Sequence, residues 1–264
     1  MLTAVKNQIK VALLSTKYGL MREMTNKVTF IMDVTFMILN NASFIIQWII
    51  LYSLKDDIGG YTFKQVLLLW GIAASTYGFA HFSFKKAFSI SDTINNGKLD
   101  SYLVQPKNVL ISCITSDIQV SAIGDILYGY IMLLIYGITI QNFILFSLLS
   151  ISGGLIVVSI AVILGSLSFW IGKSDSIADT GNDLMVKFAT YPDGIFKGIT
   201  KILLFTLIPV GITTYMPVWI MTEFNITYMS IVLASSAFFI FTAFSIFNRG
   251  LKRYSSSNLM ISKI

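Results

Sequence analysis

Charge, cysteine, histidine and proline are all scarce in this sequence. Only 12% of the 264 residues are charged, whereas a typical globular chain is about 25% charged. Such a chain cannot cover its outside with charge, so we expect its outer surface to face lipid. The one cysteine, Cys113, excludes an internal disulfide framework, and the one histidine, His81, excludes a metal site built from several histidines. Four prolines and 18 glycines are too few for a collagen-like or low-complexity chain.

The sequence also lacks the motifs of several enzyme classes. It contains no G-x-x-x-x-G-K-S/T string, which would form a phosphate-binding loop, and no G-x-S-x-G or H-E-x-x-H string. Residues 122–125 read A-I-G-D, one methyl group away from the G-x-G-D string of intramembrane aspartyl proteases. Such an enzyme needs two facing aspartates, and the only other aspartate inside a predicted span is Asp33. We therefore predict no catalytic residue and expect no metal ion or cofactor bound by this chain.

Apolar residues are abundant, making up 55% of the sequence and forming six long runs. A helix needs about 20 mainly apolar residues to cross the hydrocarbon core of a bilayer. The six predicted spans are residues 28–53, 61–84, 118–138, 143–171, 199–219 and 228–247. We therefore predict an all-α integral membrane protein in which residues 1–264 form a single transmembrane domain.

The fifth run is interrupted by Pro209 and Pro217. Proline lacks a backbone donor and breaks helices. Broken helices occur at membrane depth where neighbouring protein or a water-lined cavity satisfies the freed backbone groups. We therefore predict a broken, re-entrant segment here, with one kinked spanning helix as the alternative.

Basic residues are concentrated in alternate connections between the predicted spans. Residues 1–27, the connections after the second and fourth spans, and the tail 248–264 account for all 19 lysines and arginines except Lys55 and Lys64. Because short cytoplasmic loops carry the basic excess in membrane proteins, we predict that both termini are cytoplasmic. Topology and anionic lipid thereby explain the net charge of +6, and no nucleic-acid partner is predicted.

The cytoplasmic segments have patterns of their own. In residues 1–27 apolar residues recur every three or four positions opposite several lysines, which predicts an amphipathic helix lying on the membrane surface, with a solvated tail as the alternative. The connection 85–109 contains a turn signal at Asn95-Asn96-Gly97 between two short helical pieces. Its apolar residues either insert into a groove of a partner or rest on the membrane, and the spacing leaves both possibilities open.

Polar side chains form stripes within two predicted spans. Asp33, Asn40 and Gln47 recur every seven residues in the first span, and Asp125 belongs to a second stripe in the third span. Ionisable groups in a bilayer are costly and normally face the bundle interior or a wet cavity, so we expect both stripes to point inward. They line a translocation path or the seam between two permeases, or they are hydrogen-bonded contacts between helices of one bundle.

Three strings, in the same order along the chain, resemble those of permease subunits of type-2 ATP-binding-cassette exporters. Residues 94–106, I-N-N-G-K-L-D-S-Y-L-V-Q-P, resemble the I-x-x-G-x-L-D-x-x-L-x-x-P stretch between spans two and three of that family. Residues 191–196, Y-P-D-G-I-F, and the run F-T-L-I-P-V at 205–210 followed by Y-M-P at 215–217 are similar to two later family segments. The likeness is greatest to small six-span bacterial permeases and covers essentially the whole chain.

The resemblance implies a bacterial plasma-membrane exporter subunit that forms half of a pathway. ATP and Mg²⁺ would be bound by a separate ATPase subunit, and a second permease, identical or a sister chain, would complete the path for a small molecule, peptide or lipid. The resemblance implies a coupling helix between spans two and three that contacts the ATPase through Phe88, Ile90, Ile94, Gly97, Leu99 and Asp100. It also implies a re-entrant pair of short extracellular helices after Pro209. The rival interpretation is an ion-coupled secondary transporter or channel that uses Asp33 or Asp125 as ion ligand.

Overall fold

A computed structural model of the protein describes residues 2–255, with side chains from Lys6 onward. This part of the chain contains α-helices, short turns and no strand, as predicted for an all-α protein. The helices are α1 (Leu2–Glu23), α2 (Lys27–Leu54), α3 (Phe63–Phe84), α4 (Ile90–Asn95), α5 (Asp100–Leu103), α6 (Val109–Ile114), α7 (Ala122–Gly137), α8 (Ile140–Ser166), α9 (Ser168–Ile171), α10 (Asp175–Ala189), α11 (Gly198–Thr206), α12 (Met216–Thr222) and α13 (Ile226–Leu251). Helix α13 extends into the predicted tail 248–264 as far as Leu251. The tail residues beyond 255 lie outside the described part of the chain.

Four helices in the described residues are long and apolar enough to cross a membrane. They are Lys27–Leu54, Phe63–Asn95, Ile140–Ile171 and Ile226–Leu251, two of which include the short helices that continue them. The pair formed by α11 and Gly211–Thr222 would be a fifth if it were one span. The apolar helix α7 has only 16 residues, a length of about 24 Å. By length and apolarity the count is therefore four or five, whereas the sequence predicted six.

Helices α3, α7 and α8 form the centre of the bundle, where glycines allow close backbone contact. A Cβ atom on Gly129 of α7 would lie 1.9 Å from Ser75 Oγ and 2.5 Å from the Gly71 carbonyl oxygen of α3. On the other side of α3, a Cβ atom on Gly154 of α8 would lie 3.0 Å from the Thr76 carbonyl oxygen. The small residues therefore set the distances between these three helices.

The bundle has two ends, which we name after residues that lie there. The Tyr61 end contains the turn 55–62 between α2 and α3, and the Asn95 end contains the segment 85–108 that follows α3. Helix α7 is antiparallel to α3, because Gly78 near the end of α3 packs on Ile126 near the start of α7.

Helices α8 and α13 both run toward the Asn95 end. Near the end of α8, Gly165 packs on Ile90 at the start of α4. Helix α13 lies parallel to α8, since Ser152 and Ser236 are hydrogen-bonded at 2.6 Å and Gly250 packs on Phe169.

Helix α10 extends from the Asn95 end toward the Tyr61 end. At its start, Ser174 Oγ donates hydrogen bonds to the carbonyl oxygens of Leu164 and Gly165 at 3.1 and 3.3 Å. Beyond its end, Asp193 accepts a hydrogen bond of 2.8 Å from the Tyr61 hydroxyl. The sequence predicted residues 172–198 as part of a cytoplasmic connection on one side of the bundle. The two ends of this connection instead lie at opposite ends of the bundle.

The segment from α11 to α12 is a bent pair of helices, called the hairpin below, whose two ends both lie at the Tyr61 end. The chain bends by 76° between its two arms. Asp193 precedes the first arm and contacts Tyr61, and Trp219 at the end of the second arm donates from Nε1 to the Tyr61 hydroxyl at 3.1 Å. Tyr136, in the last turn of α7, donates to the Met221 carbonyl oxygen at 3.4 Å. The predicted run 199–219 is thus broken, and its two ends lie together rather than at opposite ends of the bundle. Its re-entry into the membrane stays a prediction.

The two prolines of the hairpin have different effects. Pro209 lies at the bend between the arms, as predicted. Pro217 lies in the first turn of α12 and directly follows the π-helix Gly211–Tyr215, so the helix continues through it. Pro217 therefore makes no second break, and the π-helical turn before it is where the helix departs from regular α-helical geometry.

Candidate translocation cavity and coupling segment

The segment 85–108 contains the two helical pieces that the sequence predicted. Residues Lys85–Ser89 form a 3₁₀ turn, α4 follows, and Gly97 turns the chain with a φ of +68° before α5. Glycine adopts this left-handed conformation without the steric penalty of a side chain. The Asn-Asn-Gly corner is therefore a helix-terminating turn.

The apolar residues of this segment pack inside the chain itself. Ile90 is 1% exposed, Ile94 7% and Leu99 0%, and the Phe88 ring stacks on His81 with centroids 4.0 Å apart. Asp100 accepts a hydrogen bond of 2.9 Å from the Tyr254 hydroxyl of the C-terminal segment. The sequence allowed these apolar side chains a partner's groove or the membrane surface. The structure instead buries Ile90, Ile94 and Leu99 in the core of this chain, so in this state they are unavailable to a partner.

The exposed apolar surface of the segment lies a few residues further on. Val104 is 84% exposed and Leu103 is 43% exposed. The polar residues Asn96, Lys98 and Ser101 are exposed beside them. The sequence pattern does not distinguish Val104 from the buried apolar residues of the segment, because the alternation of apolar and polar residues does not reveal which of them the chain itself covers.

A cluster of buried hydroxyl groups ties the segment to the start of α10. Ser91 Oγ lies 2.6 Å from Ser168 Oγ, which lies 2.8 Å from Ser174 Oγ. The Ser174 backbone N–H donates to Ser91 Oγ at 3.2 Å, and Asn95 Nδ2 donates to the same atom at 3.3 Å. Because these buried hydroxyls satisfy one another, α4 and the start of α10 are held together.

Helix α1 is attached to the same end of the bundle through two contacts. Gln8 is 8% exposed, donates to Ser112 Oγ and accepts from the Asn108 backbone N–H. Arg22 and Lys85 lie 2.9 and 3.4 Å from the Asp117 carboxylate. Burial alone would raise the pKa of Asp117, but the hydrogen bond from Arg22 and the charge of Lys85 outweigh it, so this pKa lies below its ordinary value.

The polar stripe of α2 is exposed, and part of it borders a cavity. Asp33, Asn40 and Gln47 are all exposed, although the sequence predicted that they would face inward. Asn40 and Gln47 line a cavity beside α2, whereas Asp33 does not. Their roles in a translocation path, a permease seam or helix packing stay predictions.

Asp125 of the second stripe does lie in the interior. It accepts a hydrogen bond of 2.6 Å from Asn41 Nδ2 of α2. The preceding Gly124 makes this possible, since a Cβ atom there would lie 2.5 Å from the Val34 carbonyl oxygen. Asp125 lines a cavity of about 520 Å³ between α2, α3, α7 and α10. Of the predicted path residues, Asn40, Gln47 and Asp125 meet at this cavity.

Among the described residues, no group of three or more histidine, cysteine, aspartate or glutamate side chains could hold a metal ion.

The family of the chain follows from its match to a family model. Residues 38–258 match the model described as ABC-2 family transporter protein. This stretch contains all the helices from the middle of α2 to α13, and the chain belongs to the ABC-2 transporter family. No curated protein and no solved structure matches the chain.

Membership defines the class of protein and confirms the resemblance drawn from the sequence strings. The chain is a multi-pass membrane protein and an ABC-type permease, a transport subunit of a kind that typically has no ATPase site of its own. A permease of this family works with an ATPase partner within an ABC transporter.

Proposed function

We propose that this chain is the membrane-spanning subunit of an ATP-driven exporter in a bacterial plasma membrane. It forms half of the translocation path, and a second permease, identical or a sister chain, forms the other half. The ATPase subunit, which binds ATP and Mg²⁺, docks at the Asn95 end. The observation that carries the proposal is the family match over 38–258, with exposed Leu103 and Val104 beside it as a docking point.

In this proposal six helices cross the membrane and the hairpin re-enters it from the outside. The crossing helices are α2, α3, α7, α8, α10 and α13. Support comes from the two ends of α10, one at the Ser168 hydroxyl and the other next to Tyr61. Only five of the 19 basic residues then lie toward the Tyr61 end, namely Lys55, Lys64, Lys187, Lys197 and Lys201. The Asn95 end and both termini are therefore cytoplasmic, and α1 lies along the inner membrane surface with Ile9 and Leu13 toward lipid.

The mechanism passes force from the Asn95 end to the cavity through α10. ATP-driven closure of two ATPase subunits displaces the segment 85–108 of each permease, which is the coupling segment in this proposal. The Ser91–Ser168–Ser174 hydroxyl cluster transmits this displacement to the start of α10. At the other end of α10, Lys187 and the following Tyr191 line the cavity. Movement of α10 thus changes access to the cavity, and hydrolysis resets it.

Single-cysteine labelling of intact cells tests this topology. Cys113 is buried, and a Cys113→Ser background allows one new cysteine at a time. We expect Lys197→Cys to react with a membrane-impermeant maleimide from outside and Asn96→Cys to react only after permeabilisation. Protection of Lys197→Cys in intact cells would contradict six crossings with α10 as the fifth, and outside labelling of Asn96→Cys would contradict the whole orientation.

Purification from native membranes in mild detergent, followed by mass identification, tests the ATPase partner. We expect a polypeptide with a phosphate-binding loop to copurify, and Val104→Asp to abolish its recovery while the permease still inserts. Phe224→Asp is the matched control, because Phe224 is also an exposed apolar residue, 57% exposed, but lies at the Tyr61 end. Equal loss in both variants, or full recovery with Val104→Asp, would contradict docking at Val104.

The second candidate function is an ion-coupled transporter or channel, favoured by the carboxylate of Asp125 in the cavity. It predicts solute movement by proteoliposomes that contain this chain alone and dissipation of an ion gradient. The exporter predicts no movement until the ATPase partner and ATP are added. The same reconstitution therefore separates the two functions.

A further inference from the structure

The cavity beside Asp125 has the size of a small-molecule site. Its volume of about 520 Å³ lies within the ~300–1,000 Å³ of typical ligand pockets. Residues of α2, α3, α7 and α10 line the cavity. A molecule bound there would lie next to α10, whose start is hydrogen-bonded to α4 through Ser174 and Ser91.

Aromatic rings make up much of the wall. Phe44 stacks on Trp70 with ring centroids 5.3 Å apart, and Trp48 meets Tyr191 edge-on at 5.9 Å. Tyr77 and His81, whose rings stack on each other, also line the cavity. Such rings provide apolar contact area and attract cations over their faces.

Asp125 and Lys187 are the two charged groups that line the cavity. Asp125 is the carboxylate among the lining residues, and no lysine or arginine of the described residues lies within ion-pair distance of it. Lys187 also lines the cavity but is exposed, so its flexible chain can keep the ammonium in water. A carboxylate inside a bilayer is costly unless a cation or a hydrogen-bond donor accompanies it, and within the described part of the chain Asn41 is the one side chain that donates to it.

Two further lining groups lack partners. Trp70 is 7% and Tyr77 9% exposed, and neither Trp70 Nε1 nor the Tyr77 hydroxyl has a hydrogen-bond partner among the described residues. Buried polar groups of native proteins are normally paired. Both atoms have almost no accessible surface, so the two side chains contribute ring surface to the cavity and no hydrogen-bonding group.

We propose that this cavity binds a monovalent organic cation with a bulky aromatic or branched apolar body. The cationic centre lies next to Asp125, and the body packs among Phe44, Trp48, Trp70 and Tyr191. This inference rests on the proposed exporter function and gives its substrate class.

Equilibrium dialysis with the purified chain in nanodiscs tests the proposal without the ATPase. The probes are tetraphenylphosphonium and tetraphenylborate, which have the same shape and opposite charge, and empty nanodiscs supply the lipid background. We expect saturable binding of the cation and none of the anion above background. Equal binding of both ions, or no saturable binding of the cation, would overturn the proposal whatever any variant does.

Variants then assign the charge. We expect Asp125→Asn to weaken cation binding at least about tenfold, the effect of removing one partner of a desolvated charge pair, and Asp125→Glu to preserve it. Asp33→Asn is the matched control, since Asp33 is a carboxylate of α2 outside the cavity, and its binding should equal that of the wild type. Lys187→Gln should leave the affinity unchanged or raise it. Unchanged affinity in Asp125→Asn, or a loss in Lys187→Gln, would contradict the assignment.

Failure of this inference and failure of the exporter function have different signatures. Val104→Asp should bind tetraphenylphosphonium like the wild type while losing the ATPase. If the wild type recovers its ATPase but binds no cation, the substrate class is wrong and the exporter function stands. If it binds the cation but recovers no ATPase, the exporter function is wrong and the cavity is a cation site of another kind of transporter.

Discussion

Neighbouring helices α2 and α3 are both long and predominantly apolar, but they differ in how much of their surface the chain itself covers. Two of the 28 residues of α2 are buried, whereas 14 of the 22 residues of α3 are. Helix α3 packs against α7 on one side and α8 on the other through glycines and small residues. Helix α2 contacts the bundle along one narrow face and leaves large apolar side chains such as Ile46 and Phe36 exposed. Apolarity alone therefore does not distinguish a helix surrounded by its own chain from one that faces lipid or another subunit.

The largest effect is expected where α3 and α7 are closest. Gly129→Val places methyl groups where Ser75 Oγ and the Gly71 carbonyl already lie, so the helices must separate. We expect the free energy of unfolding to fall by about 3 kcal/mol, which is typical of severe overpacking. The thermal midpoint should be lower, and the protein should be less monodisperse in detergent. On α2, Ile46→Ala changes a side chain that is 58% exposed and should have almost no effect. Similar losses in the two variants would remove the distinction between the helices.

A smaller effect is expected where the hairpin is attached beside α3. Tyr61→Phe removes the donor to Asp193 and the acceptor of Trp219. Asp193 keeps its ion pair with Lys201 at 2.8 Å, so we expect a loss of about 1–3 kcal/mol, the cost of leaving buried polar groups unpaired. Hydrogen exchange should accelerate in residues 198–222 and remain unchanged in α3. Tyr18→Phe, at an exposed tyrosine of α1, is the control. If hydrogen exchange in residues 198–222 accelerated equally in Tyr18→Phe, the role of Tyr61 would be contradicted.

The hydroxyl cluster behind α4 should contribute less. Ser168→Ala removes the group that bridges Ser91 and Ser174, which we expect to cost about 1 kcal/mol. The thermal midpoint measures this change, with Ser176→Ala at an exposed serine of α10 as the control. A midpoint equal to the wild type would mean that the cluster does not hold α4 to α10.

The smallest effect concerns the attachment of α1, and it depends on pH. The pKa of Asp117 is lowered in the folded protein, so its ion pairs stabilise the fold above the ordinary aspartate pKa of about 3.9. This stabilisation is lost as the pH falls through the lowered value. We expect Asp117→Asn to lower the thermal midpoint slightly at neutral pH and the difference from the wild type to vanish in acid. A difference that persists below the aspartate range would contradict this origin.

The sequence predicts the helical class and the long helices well, because these depend on local properties. The runs 28–53, 61–84, 143–171 and 228–247 correspond to α2, α3, α8 and α13 within a few residues. The corner at Gly97 was also predictable, since a helix end with positive φ favours glycine. These features need only the length of an apolar run or the preference of one residue.

The sequence misleads at α10, because that helix is amphipathic. It carries Asp175, Asp179, Asp183 and Lys187, so it reads as a solvated connection. In the structure, Met185 and Ala189 are buried on its inner face, and the charged residues lie on other faces. The strongly apolar run at 199–219 looked more like a span, although its two ends lie at one end of the bundle. Hydropathy averages over all faces of a helix and does not record where its ends lie.

The proposed functional residues likewise divide into those that the sequence places and those whose surroundings only the structure gives. Asp125 was identified from its cost in a bilayer, and it lies at the cavity. For Ile90, Ile94 and Leu99 the sequence left a partner's groove or the membrane surface open, and the structure covers them with this chain itself. The polar stripe of α2 is exposed, and its Asn40 and Gln47 line the cavity.

The amino-acid sequence by itself determined that this chain is helical, is embedded in the membrane, turns at Gly97 and bends at Pro209. The first two features depend on the length of apolar runs, and the last two depend on the φ and hydrogen-bond limits of a single residue. Only the tertiary structure decided which apolar faces are covered from within, that α10 joins the two ends of the bundle, and that Asp125 shares a cavity with aromatic rings from α2, α3 and α10. These depend on how closely helices approach, and that distance is set by pairs of residues far apart in the chain, such as Gly71 and Gly129.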